Sequence, residues 1–311
     1  MTTPVLLIGF NRPERLADLV ASLRRTSPPT VRVAIDGPRP NHPTDAERVR
    51  ACCDIVQRID WTPDVDLLAR QSNMGLERAI PDAVSWALES ADRVIVVEDD
   101  VTVGDQFFEF VNSSLDVFAE REDVFHVSGY NVVRRELLAA PNAPARLTRV
   151  AESFAWATWK RAWLHYDAGM TWASACSLDE LAGIVGSRTA AARWKQHFAL
   201  ARTGRISSWA YRWIASMWSQ DGYCINPNRN LITYRGYENG THTRRRARWS
   251  ELPIERLSLD RIDQARFEPA ADRYVHRQVF RATPAGVALG PVEAAALSAV
   301  NRWQRPRAAK P

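Results

Sequence analysis

The sequence predicts an α/β fold, Rossmann-like, with a mostly parallel sheet flanked by helices, and three observations predict it. Short apolar runs alternate with amphipathic helical spacing up to about residue 123, which is the rhythm of right-handed βαβ units. The run Arg93-Val94-Ile95-Val96-Val97 has no polar alternation, so it reads as a strand buried on both faces. That run leads straight into Glu98-Asp99-Asp100. Three adjoining carboxylates repel one another unless a cation lies among them, and ligands of open α/β sheets bind where strands end.

The elements follow in order. Val5–Phe10 is a short apolar strand, and Pro13 suits the first position of the helix after it. In that helix Leu16, Leu19, Val20 and Leu23 recur at i, i+3, i+4 and i+7. Val31–Asp36 is a second strand closed by Gly37-Pro38 turn chemistry. A helix near 44–58 leads to a third strand near 64–69, and Gln71–Gly75 is a loop. Ile80, Ala83, Val84, Ala87 and Leu88 mark the next helix. After the acidic strand, Phe107, Phe108, Val111, Leu115 and Phe118 mark another. Val124–Asn131 reads as a further strand. Residues 150–220 then hold eight of the twelve tryptophans: Trp156, Trp159, Trp163, Trp172, Trp194, Trp209, Trp213 and Trp218. Most of these are expected in the core, because an indole buries a large apolar area. The tail after about Ala294 is polar and is expected to be loosely held.

Size and composition bound the class. With 311 residues and 46 % hydrophobic content, the chain can bury the core of one large domain, with or without appendages. No apolar run approaches twenty residues, so no membrane span is expected. The N-terminus lacks the basic and apolar regions of a signal peptide. Cys52, Cys53, Cys176 and Cys224 have no zinc spacing, and vicinal cysteines pair poorly. Reduced thiols and a cytoplasmic location are the expectation. The formal charge is +5 and the pI about 9.2, with lysine at only three positions among 41 basic residues. Arginine suits planar phosphate recognition. The cluster Arg244, Arg245, Arg246 and Arg248 reads as a solvated loop or as a site for a diphosphate, an anionic acceptor or an anionic membrane surface. No basic stripe is interleaved with aromatics on one element, so nucleic acid is not an expected partner.

Four loops would gather at the C-terminal edge of such a sheet: Asn11-Arg12, Asp36-Gly37, Asn73–Arg78 and Glu98–Asp100. Gly9-Phe10-Asn11-Arg12-Pro13 does not fit a Gly-x-Gly-x-x-Gly turn, and there is no P-loop. A diphosphate here would be held by arginine and by Mg²⁺ or Mn²⁺, whose preferred ligands are oxygens.

On these residues the chain resembles nucleotide-sugar glycosyltransferases of the GT-A fold. Within them it is similar to the N-acetylglucosaminyltransferase I family and its bacterial haemolytic-protein-like sugar transferase homologues. The matching stretches are Val5–Arg15, Val33–Asp36, Asn73–Arg78, Val94–Val111, Val127–Asn131, Trp156–Trp163, Ser208–Trp218 and Cys224–Thr243. The most specific is Val96-Val97-Glu98-Asp99-Asp100 followed by Phe107-Phe108-Glu109. Ala265–Phe280 resembles the C-terminal part of the bacterial members more faintly.

The resemblance implies residue roles. Asp100 would coordinate the metal, with His242 reaching the metal or the diphosphate. Asp99 would contact the ribose or support the metal, and Glu98 would contact the sugar side. Arg12 would face the diphosphate. Asp36 would accept a hydrogen bond from a base N–H, which favours UDP-sugars, and Asn11, Asn73 and Arg78 would lie near the donor. Asn230 and Arg235 are flanking candidates. Residues 1–125 would form the donor-binding half, 126–250 the Trp-rich acceptor-side and catalytic half, and 251–311 a C-terminal extension. The acceptor class is open: glycan, lipid-linked sugar, protein or small molecule.

One departure matters. In the family, Ser208-Trp209-Ala210-Tyr211-Arg212-Trp213 usually carries an aspartate at or near the position of Ala210, the general base of an inverting transfer. Alanine accepts no proton, and a general base is typically worth ~10²–10⁴-fold in rate. The base was removed, or another carboxylate such as Asp221 or Glu152 serves, or the chain binds nucleotide sugar or glycan without transferring. Tyr211 is a poor substitute, since a phenol with pKa of about 10 stays protonated at neutral pH.

Overall fold

The computed structural model of the chain describes residues 3–236 and 252–304. Its N-terminal part alternates as the periodicity predicts: β1 (Val5–Gly9), α1 (Pro13–Arg24), β2 (Thr30–Ile35), α2 (Asp45–Gln57), β3 (Asp64–Ala69), α3 (Leu76–Ala87) and β4 (Arg93–Glu98). A three-residue strand, β5 (Val101–Val103), then precedes α4 (Phe107–Val117) and β6 (Val124–Ser128). The Trp-rich stretch contains β7 (Ala145–Thr148), β8 (Ala155–Trp159), α5 (Lys160–Trp163), α6 (Thr171–Ala175), α7 (Leu178–Val185), α8 (Arg188–Arg202) and α9 (Trp209–Ser219). The chain continues through β9 (Tyr223–Pro227), β10 (Ile232–Tyr234), α10 (Pro269–Gln278) and α11 (Pro284–Gln304).

One eight-stranded sheet runs in the order β3-β2-β1-β4-β8-β6-β9-β7. β3, β2, β1 and β4 are mutually parallel, and β6 and β9 are parallel. β8 enters antiparallel between β4 and β6, and β7 is an antiparallel edge. The fold class read from the sequence is therefore the observed one. β10 pairs antiparallel with β5 in a separate two-stranded sheet, which brings the chain after residue 230 back beside the acidic turn. Strands from both sides of residue 125 share the main sheet, and β6 straddles that boundary. The C-terminal part docks on the edge strand: the Leu147 amide donates to the Arg266 carbonyl at 2.9 Å, and Asp272 of α10 accepts from the Arg149 amide at 2.8 Å.

Pleat alternation divides the core between two faces. Leu7, Val33, Ile95 and Val97 face α1, α2 and α4 through Leu16, Leu19, Cys52, Phe107 and Phe110. Leu6, Val94, Val96 and Trp156 face α3 and the helices after β8 through Ile80, Val84, Trp194, Trp213 and Trp218. Seven of the eight tryptophans named above are buried and Trp172 is half-buried, so this stretch is core as its composition predicts. Two indole N–H groups are met internally: Trp213 Nε1–H donates to His126 Nδ1 at 3.2 Å, and Trp218 Nε1–H donates to the Arg149 carbonyl at 2.7 Å, whereas the buried Trp156 Nε1 has no hydrogen-bond partner among the described residues. All four cysteines are unpaired, and three are buried. Among the described residues no helix is long and apolar enough to cross a membrane.

α11 runs to Gln304. Its alanines favour helix, and Glu293 ties it to Arg193 of α8 at 2.6 Å.

Candidate active site

A cleft of about 630 Å³ lies at the C-terminal edge of the parallel strands, within the range of small-molecule sites. It is lined by Gly9 at the end of β1, Phe10, Asn11 and Arg12 after it, Asp36 and Arg39 after β2, Asn73 and Gly75 before α3, and Glu98 and Asp99 at the end of β4. The order of β1, β2 and β4 in the sheet explains the convergence: β1 is central, so the loops after β2 and β4 flank its own.

The acidic triplet is not one cluster. Glu98 is in register with Ile8 and on the same face as Val96, the face covered by α3 and the Trp-rich helices. Asp99 is 5 % exposed and ion-paired to Arg12, whose Nε also donates to Asp99 Oδ2 at 3.2 Å. Asp100 Oδ2 lies 3.6 Å from Arg12 Nη2. Burial raises all three carboxyls. Glu98 is pushed well above the usual carboxylate range, with the charges of Asp100 and Asp99 adding to its desolvation. Asp99 is pushed up to about 6 by burial against the pull of Arg12. Asp100 is raised by burial, again opposed by Arg12. Burial alone would lower the pKa of Arg12, but Asp99 and Asp100 hold it above its ordinary value.

These desolvated carboxylates fit a nearby cation, which would relieve their mutual repulsion. Among the described residues no three His, Cys, Asp or Glu side chains converge as a metal cage. Asp100 is held by Arg12 less closely than Asp99 is and would hold the ion. A single protein carboxylate suits Mg²⁺ or Mn²⁺ sharing its shell with phosphate and water. His242 lies outside the described residues, as does the arginine cluster at 244–248.

The other residues singled out in the sequence are placed as follows. Asn11 Nδ2 donates to Asp45 Oδ1 at 2.7 Å. Asp36 is buried and accepts from Asn73 Nδ2 at 2.9 Å. Arg78 is exposed on the first turn of α3. Asn230 is buried just before β10, donating to the Ile232 carbonyl at 2.6 Å. The Arg235 amide donates to the Asp100 carbonyl at 2.8 Å, which ties the strand end to the acidic turn.

Ala210 lies in the first turn of α9, half-buried, two residues before Arg212. Arg212 is buried and ion-paired to Glu77 of α3 at 2.6 Å. It also donates to the carbonyls of Ser208 at 2.8 Å, Ala201 at 3.0 Å and Ala168 at 3.0 Å. This guanidinium therefore fixes the N-terminus of α9 against the donor-side helix. Asp221 lies past the other end of α9, about 16 Å away along the helix, and pairs with Arg149 at 2.6 Å. Glu152 is 5 % exposed, on the buried crossover between β7 and β8.

Three arginines that the motifs did not single out also line the cleft. Arg15 lies one turn after Arg12 on α1 and donates to the Arg235 carbonyl at 3.1 Å. Arg39 chelates Asp45 with bonds of 2.6 and 3.0 Å and stands 5.2 Å from the Phe10 ring centroid. The hydrogen bonds of Arg39 hold the Asp45 carboxyl far below the usual range despite its burial. Arg48 donates to the Asn11 carbonyl at 2.6 Å and pairs with Glu14 at 2.8 Å. The i, i+3 spacing of Arg12 and Arg15 was a readable signal. Arg39 and Arg48 needed the tertiary fold. Ser207, just before α9, closes the far wall.

No protein-family model matches the chain, and no curated protein matches it in sequence. Forty solved chains match it in structure. One is described as a mannose-1-phosphate geranyltransferase from Thermus thermophilus; the match covers 75 % of this chain and 76 % of that one, at 17 % identity and a TM-score of 0.35. A likeness this distant carries no argument about activity.

Proposed function

We propose that the chain is a metal-dependent inverting glycosyltransferase that takes its sugar from a nucleoside-diphosphate donor, with UDP-sugars the first to try. The observation that carries the reading is that Arg12, Arg15, Glu98 and Asp99 line one strand-end cleft, with Arg12 ion-paired to Asp99 and 3.6 Å from Asp100 beside it. Arg12 and Arg15 would meet the diphosphate, a role for which fixed guanidinium geometry is suited. Glu98, on the face toward α3 and α9, would contact the sugar. The Arg12–Asp99 pair would keep that guanidinium in place as the donor enters. When bound at Asp100, Mn²⁺ or Mg²⁺ would offset the charge of the leaving nucleoside diphosphate. The acceptor hydroxyl, of a glycan, lipid-linked sugar, protein or small molecule, would approach from the side of Ser207 and Ala210. Arg246 and its neighbours are the candidate for peripheral contact with an anionic membrane.

Ala210 favours a second reading, a nucleotide-sugar or glycan-binding protein that does not transfer. Asp221 and Glu152 do not offer an obvious substitute base, one being past the far end of α9 and the other buried on the crossover between β7 and β8. Release of nucleoside diphosphate from a UDP-sugar panel, compared for the chain and for Ala210→Asp, separates the two readings. Transfer by a chain lacking its base predicts a gain of ~10²-fold or more in Ala210→Asp at unchanged donor affinity. No release by either protein, with donor bound, would leave the binding reading standing.

A further inference from the structure

We propose that Asp36 is a positioning residue that builds the donor-side loop, and that its carboxylate is not available to read a nucleobase. An ionised carboxylate offers about four lone-pair sites, and the chain itself fills four. Oδ1 accepts from the Gly37 amide and the Met74 amide, both at 2.9 Å. Oδ2 accepts from Asn73 Nδ2 at 2.9 Å and the Gly75 amide at 3.1 Å. Asp36 as a whole is 7 % exposed, so a base N–H would have to displace one of these donors in a desolvated corner.

What the four bonds achieve is visible in the backbone. Gly75 is the N-cap of α3, with φ +76° and ψ 153° and no side-chain cap of its own. That conformation is costly for any residue but glycine. Asp36 supplies from β2 the anionic acceptor that the loop lacks, next to the positive end of α3. The two loops are also pressed together: a Cβ on Gly37 would come within 2.4 Å of the Ser72 backbone, and Asn73 Nδ2 donates to the Gly37 carbonyl at 3.0 Å. Asp36 thus sets the height of Asn73 and Gly75 in the cleft wall. Discrimination between bases then falls to other groups of that wall, and a preference for uracil would not originate at this carboxylate.

The test has two arms, of which only the second rests on the cleft being a nucleotide site. In the ligand-free protein, Asp36→Asn replaces an acceptor by an NH₂ group facing N–H donors. Deuterium exchange at the Met74 and Gly75 amides should quicken by about tenfold or more, with β1 and β4 unchanged. Asn73→Ala, which leaves Asp36 intact, should quicken the same amides by less, and it carries this arm if Asp36→Asn does not fold. In the second arm, UDP, CDP and GDP are titrated with Mn²⁺. Asp36→Asn should weaken all three together, keeping the UDP-to-CDP ratio within about threefold. Unchanged exchange in both variants would overturn the proposal, as would a UDP-to-CDP ratio that collapses in Asp36→Asn. If the unmutated chain binds no nucleotide, the functional reading fails while the exchange arm still decides the role of Asp36.

Discussion

Replacing Glu152 by glutamine should change the pH dependence of stability in one direction and by a calculable amount. Glu152 is buried, and its Oε1 has no hydrogen-bond partner. Burial pushes its carboxyl from 4.5 to about 7, with Arg146 opposing and Asp272 adding to the rise. In the unfolded chain the group returns to its ordinary value. Between those two values the folded state binds the proton and the unfolded state does not. The stability contributed by the neutral carboxyl is therefore fully present below about pH 4.5 and is lost as pH rises through 7. A shift of this size corresponds to about 3 kcal/mol. Glutamine has nearly the same shape and does not titrate. The difference in unfolding free energy, variant minus parent, should rise by most of that amount from pH 5 to pH 8. Urea unfolding of both proteins at several pH values measures it, and other titrating groups cancel in the difference. A difference that is flat with pH, or that falls, would refute the assignment of a neutral buried carboxyl at this position.

Other outcomes follow from the same packing. Arg212→Ala removes the Glu77 pair and three carbonyl contacts at once, and should cost about 3–5 kcal/mol in urea unfolding; Arg212→Lys should recover little, because an ammonium cannot span the same acceptors. Trp156 is fully buried and stacked between His126 and Trp209, so Trp156→Ala should cost about 3–5 kcal/mol, read as a lowered urea midpoint. Burial lowers the His126 imidazole to about 3, so its stabilising neutral form is retained above 6.5 and lost as pH falls through the folded value. His126→Asn should therefore flatten the acid limb of the thermal midpoint against pH.

The N-terminal half was readable because its signals are local. Leu16, Leu19 and Leu23 repeat at helical spacing and are buried as that spacing requires, and the run Val94–Val97 is buried on both faces. The small sheet was not readable, since β5 and β10 are three residues each and their partners Thr102 and Thr233 are 131 positions apart. Nor was the antiparallel insertion of β8 beside β4, because Ala155–Trp159 carries no alternation that distinguishes strand direction.

The site shows the same division. The acids at 98–100 announced themselves by their adjacency, but not that the Arg12 pair binds Asp99 or that Glu98 belongs to the opposite face. Asp36 was visible as a strand-end carboxylate. The four donors around it come from residues 37, 73, 74 and 75, and only the fold brings them together.

The most direct measurement is calorimetric titration of UDP-, dTDP- and GDP-sugars into the chain and into Asp100→Ala, each with and without Mn²⁺. The account expects one donor class to bind with a dependence on the metal that Asp100→Ala abolishes. No binding by any donor, with or without metal, would contradict it and leave a strand-end cleft without its proposed ligand.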